Sequence, residues 1–425
     1  MKNLAYPLFQ SLSASQMLKR IQSFNETLHA VRFYKNPSSS ASIHLLVKDN
    51  IGVQDWPSSA GSYALKDLRL PDAFCIRQLR KNPRIDIFGK THLTELAGFV
   101  TSSVLKKGYS ELGGFGRNPY GSTLPCGGSS VGSAVAVSAG FCDAALGTET
   151  RGSIMIPAMY NGVYGFKPTR GSVSRSGIIP LSSSFDAPGV LARSPELLRE
   201  VFLAMIGQDP SDSQSFDFNS SPKPSPRARP RLLLLTNEKS SSFLESYRSL
   251  QTYLTYIEKN GIGLSSIPAP SIEFEYKIIS SWDIKRDMTS FLKRYGRDFE
   301  PRDFQELVTR YQKRPHSHLY GMERLEDAMA MHELSEHEAQ MLTASSIAKA
   351  NSLIEELLVK YDADYIASSD YLDWWAIGGG PTAAVPVSRG EGLPLCLMVG
   401  GKRNSDLELL KFVEALTFGF SSLSK

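Results

Sequence analysis

The stretch Gly127-Gly128-Ser129-Ser130-Val131-Gly132-Ser133 opens the part of the chain that decides the fold. Glycine, serine and alanine dominate residues 121–207 around it, and such small side chains let backbones approach one another closely. The segment 133–139 predicts a tightly packed helix. The run Ala144-Ala145-Leu146 predicts a short buried strand, and the residues from Gly147 to Ser153 then predict a loop.

Strand and helix signals alternate on both sides of this stretch. Short apolar runs with strand character lie at 45–47, 85–88, 232–235 and 365–366. A long charged helical region is predicted from about 284 to 360, and leucine and valine at helical spacing predict a last helix near 407–416. Strands that alternate with helices indicate a layered α/β fold.

The composition limits the partners. The chain has 425 residues, of which 41% are hydrophobic and 21% are charged, and these are ordinary values for globular proteins. Forty-seven basic and 43 acidic residues give a net charge of +4, which is too small a surplus to indicate direct binding to nucleic acid or to a membrane surface. No apolar stretch approaches the length of a transmembrane helix.

The cysteines and histidines bear on the compartment and on cofactors. The four cysteines, Cys75, Cys126, Cys142 and Cys396, are scattered and form no C-x-x-C pair. Since a disulfide scaffold would be denser in cysteine, a cytoplasmic location is predicted, with the mitochondrial matrix as the alternative. The seven histidines do not cluster at metal-ligand spacing, so neither a metal nor another cofactor is expected.

Three chemical schemes fit the glycine-rich stretch. Gly128-Ser129-Ser130-Val131-Gly132 matches the nucleophile elbow G-x-S-x-G, which would make Ser130 the nucleophile. That motif follows a core strand, whereas residues 122–127 do not resemble one. Phosphate binding is the second scheme, but both G-x-x-x-x-G-K-[ST] and a G-x-G-x-x-G after a strand are missing.

The third scheme combines a lysine with two serines. Twenty-four residues after Ser129 the chain reads Thr148-Glu149-Thr150-Arg151-Gly152-Ser153-Ile154. Further segments in the same order are Val47-Lys48-Asp49, Gly89-Lys90-Thr91, Asn118-Pro119, Gly165-Phe166-Lys167-Pro168-Thr169 and Phe185-Asp186-Ala187-Pro188-Gly189. With these motifs the sequence resembles the amidase signature family, from about Ser15 to Leu416.

The resemblance implies a fold and a division of the chain. Members of this family have a single large α/β/α domain with a mixed twisted central sheet flanked by helices. One amidase domain is therefore expected over residues 1–425. Its parts would be a catalytic signature core at about 15–207, an exposed loop at 209–230, a helical substrate-side region at 231–365 and a C-terminal core segment at 366–425.

The resemblance also implies roles for three residues. Ser153 corresponds to the nucleophile that forms an acyl-enzyme, Ser129 to a proton-relaying serine held through a cis peptide bond, and Lys48 to the base. Elementary chemistry agrees with these roles. A serine hydroxyl is a poor nucleophile until a base takes its proton, and a lysine can be that base only if burial lowers its pKa.

The backbone N–H groups of Thr150, Arg151, Gly152 and Ser153 would form the oxyanion hole. This segment departs from the family pattern, because Arg151 stands where glycine is usual and Glu149 where aspartate is usual. An arginine would strain the backbone if the position requires a positive φ. Its side chain either contacts a polar or anionic group of the substrate or points to the surface.

The resemblance leaves the substrate open. The leading hypothesis is a free-standing amidohydrolase that cleaves a carboxamide C–N bond of a small molecule, with a homodimer as an expected assembly. The alternatives are the glutaminase (A) subunit of a tRNA-dependent amidotransferase, which needs partner subunits, and a non-catalytic homologue. Tyr371, Trp374 and Trp375 either line an apolar acyl pocket or belong to the core.

Overall fold

A mixed sheet forms the middle layer of the protein in the computed structural model, which describes residues 4–8, 10–102, 108–223, 227–236, 243–296, 299–314, 320–331, 334–388 and 392–417. The strands within these ranges are β1 Val31–Tyr34, β2 Ile43–Lys48, β3 Ile85–Thr91, β4 Tyr109–Ser110, β5 Gly114–Phe115, β6 Ala144–Glu149, β7 Tyr164–Lys167, β8 Ala187–Ala192, β9 Arg231–Thr236, β10 Gly263–Pro268, β11 Tyr365–Ser368, β12 Thr382–Ser388 and β13 Leu395–Gly400.

The sheet has the strand order β1-β3-β2-β6-β8-β7-β12-β13-β11-β9-β10, and β4 pairs with β5 in a separate small ribbon. Strand β2 runs parallel to both β3 and β6, while β8 runs antiparallel to β6 and to β7. Parallel strands end at the same edge of a sheet. The residues that follow β2, β3 and β6 therefore meet at one edge.

Helices cover both faces of this sheet. They are α1 Ala14–Leu28, α2 Phe74–Leu79, α3 Val131–Ser138, α4 Met155–Tyr160, α5 Pro195–Met205, α6 Phe243–Lys259, α7 Tyr276–Tyr295, α8 Phe304–Gln312, α9 Glu323–Ala330, α10 Glu336–Lys360, α11 Trp374–Gly378 and α12 Asp406–Thr417. The fold class predicted from the sequence, an α/β/α domain around a mixed sheet, is confirmed.

The apolar runs form buried strands because neighbouring residues point to opposite faces. Leu45 and Val47 pack with α2, α5 and α12 in one core cluster. Leu46 packs on the other face with α1, α3, α4 and α10. All six residues of β2 are buried, as is typical of a central strand covered on both faces.

A third core cluster lies between the loops beside this sheet and the helices α7, α8 and α9, which we call the helical cap (residues 276–330). The charged region predicted at about 284–360 is helical, and its described residues form the four helices α7 to α10. Gly296 ends α7. Pro301 lies between α7 and α8. One helix could not easily continue through this position, because proline lacks the N–H that a helix interior needs. Ser335 caps the start of α10.

The segment 209–230 contains no helix or strand in its described residues, but it is not wholly exposed. Asp209, Asp212 and Phe218 are buried. Asp209 Oδ2 accepts a hydrogen bond of 2.6 Å from the Ser174 hydroxyl, and the carboxylate of Asp212 pairs with Arg175. These two carboxylates attach the segment to the loop after β7.

Gly132 in α3 tests how tightly the glycine-rich stretch packs. A Cβ there would lie 2.4 Å from the carbonyl oxygens of Ala30 and His92, and backbone atoms cannot rotate away. We expect Gly132→Ala to lower the free energy of unfolding in urea by about 1–3 kcal/mol. Gly121→Ala is the control, because its nearest neighbours are Leu124 side-chain atoms at 3.5 Å. Equal stability of the two variants would contradict the packing argument.

Candidate active site

Lys48 is the last residue of β2, and its side chain is completely buried. The Nζ atom lies 2.8 Å from Ser129 Oγ, 2.8 Å from Thr148 Oγ1 and 3.1 Å from the Thr148 carbonyl oxygen. Asn50 Nδ2 donates to the same Thr148 hydroxyl over 3.0 Å. Lys48 is therefore held by a serine from the glycine-rich stretch and by a threonine from β6.

The surroundings of Lys48 favour its uncharged form. Burial lowers the pKa of the Lys48 amine to about 7, although the carboxylates of Asp186 and Glu149 act in the opposite direction. An amine with this pKa is unprotonated in a large fraction of molecules near neutral pH. Its two N–H groups can then donate to Thr148, while its lone pair accepts from the Ser129 hydroxyl.

Ser129 lies between Gly128 and the start of α3, and the peptide bond between Gly128 and Ser129 is cis, as expected from the resemblance. The Ser129 carbonyl accepts from Thr94 N–H over 3.0 Å. The next residue, Ser130, donates its N–H to the Ser153 carbonyl over 3.0 Å. This backbone hydrogen bond joins the loop of Ser129 to the loop of Ser153.

Ser153 lies just before α4 and is 8% exposed. Glu149 fixes the turn that follows Ser153, because its Oε2 accepts from the N–H groups of Ile154 and Met155 over 2.7 and 2.9 Å. Gly152 has φ +84°, and a Cβ there would lie 2.6 Å from the Ile156 side chain. The position before Ser153 therefore requires glycine.

Asp186 lies directly before β8 and contacts the loop that contains Thr150 and Ser153. Its carboxylate accepts from the Thr150 hydroxyl and from the N–H groups of Leu181 and Ser182, the latter two over 2.8 and 3.0 Å. Burial raises the pKa of Asp186 to about 6. Sequence reasoning gave no role to Asp186 or Thr148, although both lie in the segments that carry the family resemblance.

The backbone N–H groups from Thr150 to Ser153 make no hydrogen bond to another described residue. They follow the end of β6 and lie beside a cavity of about 300 Å³ that Thr150, Arg151 and Ser153 help to line. Unpaired N–H groups beside a serine are what an oxyanion requires. Three of the four residues predicted for this purpose, Thr150, Arg151 and Ser153, line the cavity.

The cavity also reaches Ser129. Most of its other lining residues come from the loop after β3, from the helical cap and from the segment before α11, and the rest come from β4, the glycine-rich stretch, α4 and the loop between β7 and β8. They are Thr94, Glu95, Ala97, Gly98, Val100, Thr101, Ser102, Tyr109, Gly128, Ile156, Leu181, Tyr276, Tyr320, Gly321, Arg324 and Tyr371. Of the predicted aromatic cluster, Tyr371 lines the cavity, whereas Trp374 and Trp375 are 2% and 1% exposed and belong to the core.

Arg151 lines the cavity with a side chain that is 45% exposed. Its Nε lies 3.5 Å from Asp373 Oδ2, and its guanidinium carbon lies 4.5 Å from the centre of the Tyr276 ring. The strain expected from an arginine at this position does not arise, because Gly152 and not Arg151 has a positive φ.

The nucleophile elbow does not fit the structure. The Ser130 side chain is fully buried and donates to the Thr148 carbonyl over 3.2 Å, and Ser130 does not line the cavity.

No cluster of potential metal ligands is found among the described residues. In the same residues, no helix is both long and apolar enough to cross a bilayer, and the four buried cysteines form no disulfide.

Comparisons with known proteins fit this site. A family model described as Amidase matches residues 15–410, so the chain belongs to the amidase family. Among solved structures, the chain is similar to the native peptide amidase from Stenotrophomonas maltophilia, with 28% identity, a TM-score of 0.83 and coverage of 96% of this chain and 93% of that one. An amidase family protein from Bacillus anthracis matches with 25% identity and a TM-score of 0.86, over 96% and 88% of the two chains.

Curated relatives fall into two groups. A probable amidase of Arabidopsis thaliana is 28% identical over 94% of this chain and 84% of its own length. A glutamyl-tRNA(Gln) amidotransferase subunit of Salinibacter ruber is 44% identical over 42% of this chain. Two curated relatives match this chain at 44% identity. The matched part covers only about a third of their own length, 29% of one and 34% of the other. Family and neighbours together support hydrolysis of an amide C–N bond.

The lowered pKa of Lys48 predicts a pH dependence. The amine accepts a proton only when it is uncharged, so the rate at which a fluorophosphonate labels Ser153 should rise with pH through about 7 and level off above it. In Lys48→Arg the guanidinium stays charged, and labelling should be slow at every pH. A labelling rate that does not change between about pH 5.5 and 8.5 would contradict the hypothesis that Lys48 accepts the proton.

Thr148 gives a second prediction. Thr148→Val removes the hydroxyl that accepts from both Lys48 and Asn50, and an unpaired buried donor costs about 1–3 kcal/mol. We expect labelling of Ser153 to slow about tenfold or more, while Thr148→Ser, which keeps the hydroxyl, should stay close to wild type. Equal rates in the two variants would show that the hydroxyl does not orient Lys48.

Proposed function

We propose that this protein is a free-standing serine amidase in which Ser153 is the nucleophile, Ser129 relays protons and Lys48 is the base. The observation that carries the proposal is the 2.8 Å contact between Lys48 Nζ and Ser129 Oγ, in a site where Ser129 and Ser153 line one cavity. A fully buried amine and two hydroxyls beside unpaired N–H groups supply the parts that acyl transfer needs.

In the first half of the proposed reaction, Ser153 Oγ attacks the amide carbonyl carbon. The proton of Ser153 passes to Ser129 Oγ, and the proton of Ser129 passes to the Lys48 amine. A hydroxyl can do this because it both donates and accepts. The negative charge on the former carbonyl oxygen is stabilised by the N–H groups between Thr150 and Ser153.

Collapse of the tetrahedral intermediate breaks the C–N bond. Lys48 returns a proton through Ser129 to the leaving nitrogen, which departs as ammonia or an amine and leaves an ester on Ser153. In the second half, water attacks this ester, and the same two residues take its proton and return it to Ser153 Oγ. The amide and one water thus become a carboxylic acid and an amine, with no cofactor in the balance.

The glutaminase subunit of an amidotransferase is the second candidate. The relatives that favour it are the glutamyl-tRNA(Gln) amidotransferase subunits, but the Salinibacter ruber protein matches over 34% of its length, whereas the Arabidopsis thaliana amidase matches over 84%. Co-purification with partner subunits, instead of a monomer or homodimer, would favour this candidate.

We retain the prediction of a cytoplasmic location, with the mitochondrial matrix as the alternative.

The experiment is fluorophosphonate labelling combined with turnover of a panel of amides. Wild type should be labelled at Ser153 and should hydrolyse at least one amide of the panel. Ser153→Ala should lose labelling and at least about 10⁴-fold in kcat, and Ser129→Ala about 10²–10⁴-fold. Added hydroxylamine should trap the acyl group as a hydroxamate.

Ser130→Ala is the matched control, because its hydroxyl does not line the cavity, and it should retain labelling. Loss of labelling in Ser130→Ala with retention in Ser153→Ala would favour the nucleophile elbow. A folded wild type that neither is labelled at Ser153 nor hydrolyses an amide would favour the non-catalytic homologue.

A further inference from the structure

Arg324 is one of the residues that line the cavity beside Ser129 and Ser153. It is the second residue of α9, and its backbone N–H donates to the Val100 carbonyl over 3.2 Å. Nη1 donates to the Gly98 carbonyl over 3.0 Å. These two contacts attach the backbone and the guanidinium of Arg324 to the loop that follows β3.

That loop also contacts the backbone of Ser129. Thr94 N–H donates to the Ser129 carbonyl, and four residues later Gly98 accepts from Arg324. Between them Leu96 and Ala97 both have positive φ, at 45° and 55°, an uncommon conformation for residues with a side chain. The loop therefore holds the guanidinium at a defined position relative to the reacting atoms.

Two carboxylates close to Arg324 in sequence, Glu323 and Asp327, have other partners. Glu323 Oε2 accepts from the Thr101 hydroxyl and the Ser102 N–H over 2.9 and 3.2 Å. Asp327 pairs with Lys277 at 2.8 Å. Among the described residues, no carboxylate lies within ion-pair distance of the Arg324 guanidinium.

The other charged residues that line the cavity, Arg151 and Glu95, do not pair with Arg324. Arg151 is itself cationic, and Asp373 is its partner. Glu95 is buried, and burial raises the pKa of its carboxyl group to about 8, so it is mostly uncharged at neutral pH. Tyr371 has a buried hydroxyl without a hydrogen-bond partner in the described residues, but this group is neutral. Among the described residues that line the cavity, Arg324 is thus a cation with no carboxylate within ion-pair distance of its guanidinium.

We propose that the substrate is a small amide that carries a carboxylate, and that Arg324 binds this carboxylate while Ser153 attacks the amide carbon. A guanidinium forms two parallel hydrogen bonds with a carboxylate, and a cavity of about 300 Å³ suits a small molecule. A monoamide of a short dicarboxylic acid would be hydrolysed to the dicarboxylate and ammonium. This inference rests on the proposed amidase function.

The test compares kcat/KM for three amides in wild type and variants. Glutaramate has a carboxylate on the acyl side, N-butanoylglycine has it on the leaving side, and pentanamide is neutral. Wild type should prefer one of the two anionic amides to pentanamide by about tenfold or more. Arg324→Gln should lower kcat/KM for that amide by about 10- to 100-fold and change pentanamide turnover less than about threefold. Arg324→Lys should retain part of the preference.

Arg84→Gln is the matched control. Arg84 forms an ion pair with Glu200 at 2.6 Å. It lies just before the first residue of β3, whereas Lys48 is opposite Thr91, the last residue of that strand. Arg84→Gln should leave all three rates unchanged. Equal turnover of anionic and neutral amides by wild type, or an equal loss for both in Arg324→Gln, would overturn the inference.

Protection of Ser153 from fluorophosphonate gives a readout that does not depend on turnover. Glutarate should slow labelling of wild type and have no effect on Arg324→Gln. If Ser153 is labelled and glutarate gives no protection, the carboxylate inference fails and the amidase proposal stands. If Ser153 of the folded wild type is never labelled and no amide is hydrolysed, the amidase proposal fails and this inference fails with it.

Discussion

The physical constraint on which the site depends is the burial of the Lys48 amine. An ammonium group in a dry interior loses its hydration, and this loss lowers its pKa. The protein compensates by giving the amine hydrogen-bond partners from two elements, the hydroxyl of Ser129 and both oxygens of Thr148. An amine so placed is a base near neutral pH, although lysine is ordinarily charged there.

The fold supplies this arrangement through the edge where β2 and β6 end. Lys48 ends β2, and Thr148 lies one residue before the end of β6, so parallel strands bring base and partner together. The hydroxyls come from the turns before α3 and α4, which are joined by the hydrogen bond from Ser130 N–H to the Ser153 carbonyl. The helical cap contributes Tyr276 and Arg324 to the cavity.

The elements that the sequence predicts well are those with local signals. The apolar runs of β2 and β6 and the small residues of α3 indicate buried elements because periodicity and side-chain size act over a few residues. Lys48, Ser129 and Ser153 could be selected because their motifs resemble those of a family. Neither periodicity nor size would have separated them from ordinary lysines and serines.

The partners that sequence reasoning missed act over long separations. Thr148 contacts Lys48 across 100 residues, and Asp186 reaches Thr150 across 36, so no local pattern records these contacts. The interpretation of Arg151 depended on backbone geometry that sequence alone does not give, since it is Gly152 that has the positive φ. The burial of Asp209 and Asp212 in a segment rich in serine and proline likewise depends on Ser174 and Arg175.

The most direct test of the central claim is a titration of Lys48 itself. In the Ser153→Ala protein labelled with ¹³C at lysine Cε, and assigned by loss of the signal in Lys48→Arg, the Cε resonance of Lys48 should titrate with a midpoint near a pKa of about 7. A midpoint near the ordinary lysine value of about 10.4 would mean that the amine stays charged at neutral pH, and the proposed proton transfer would be contradicted.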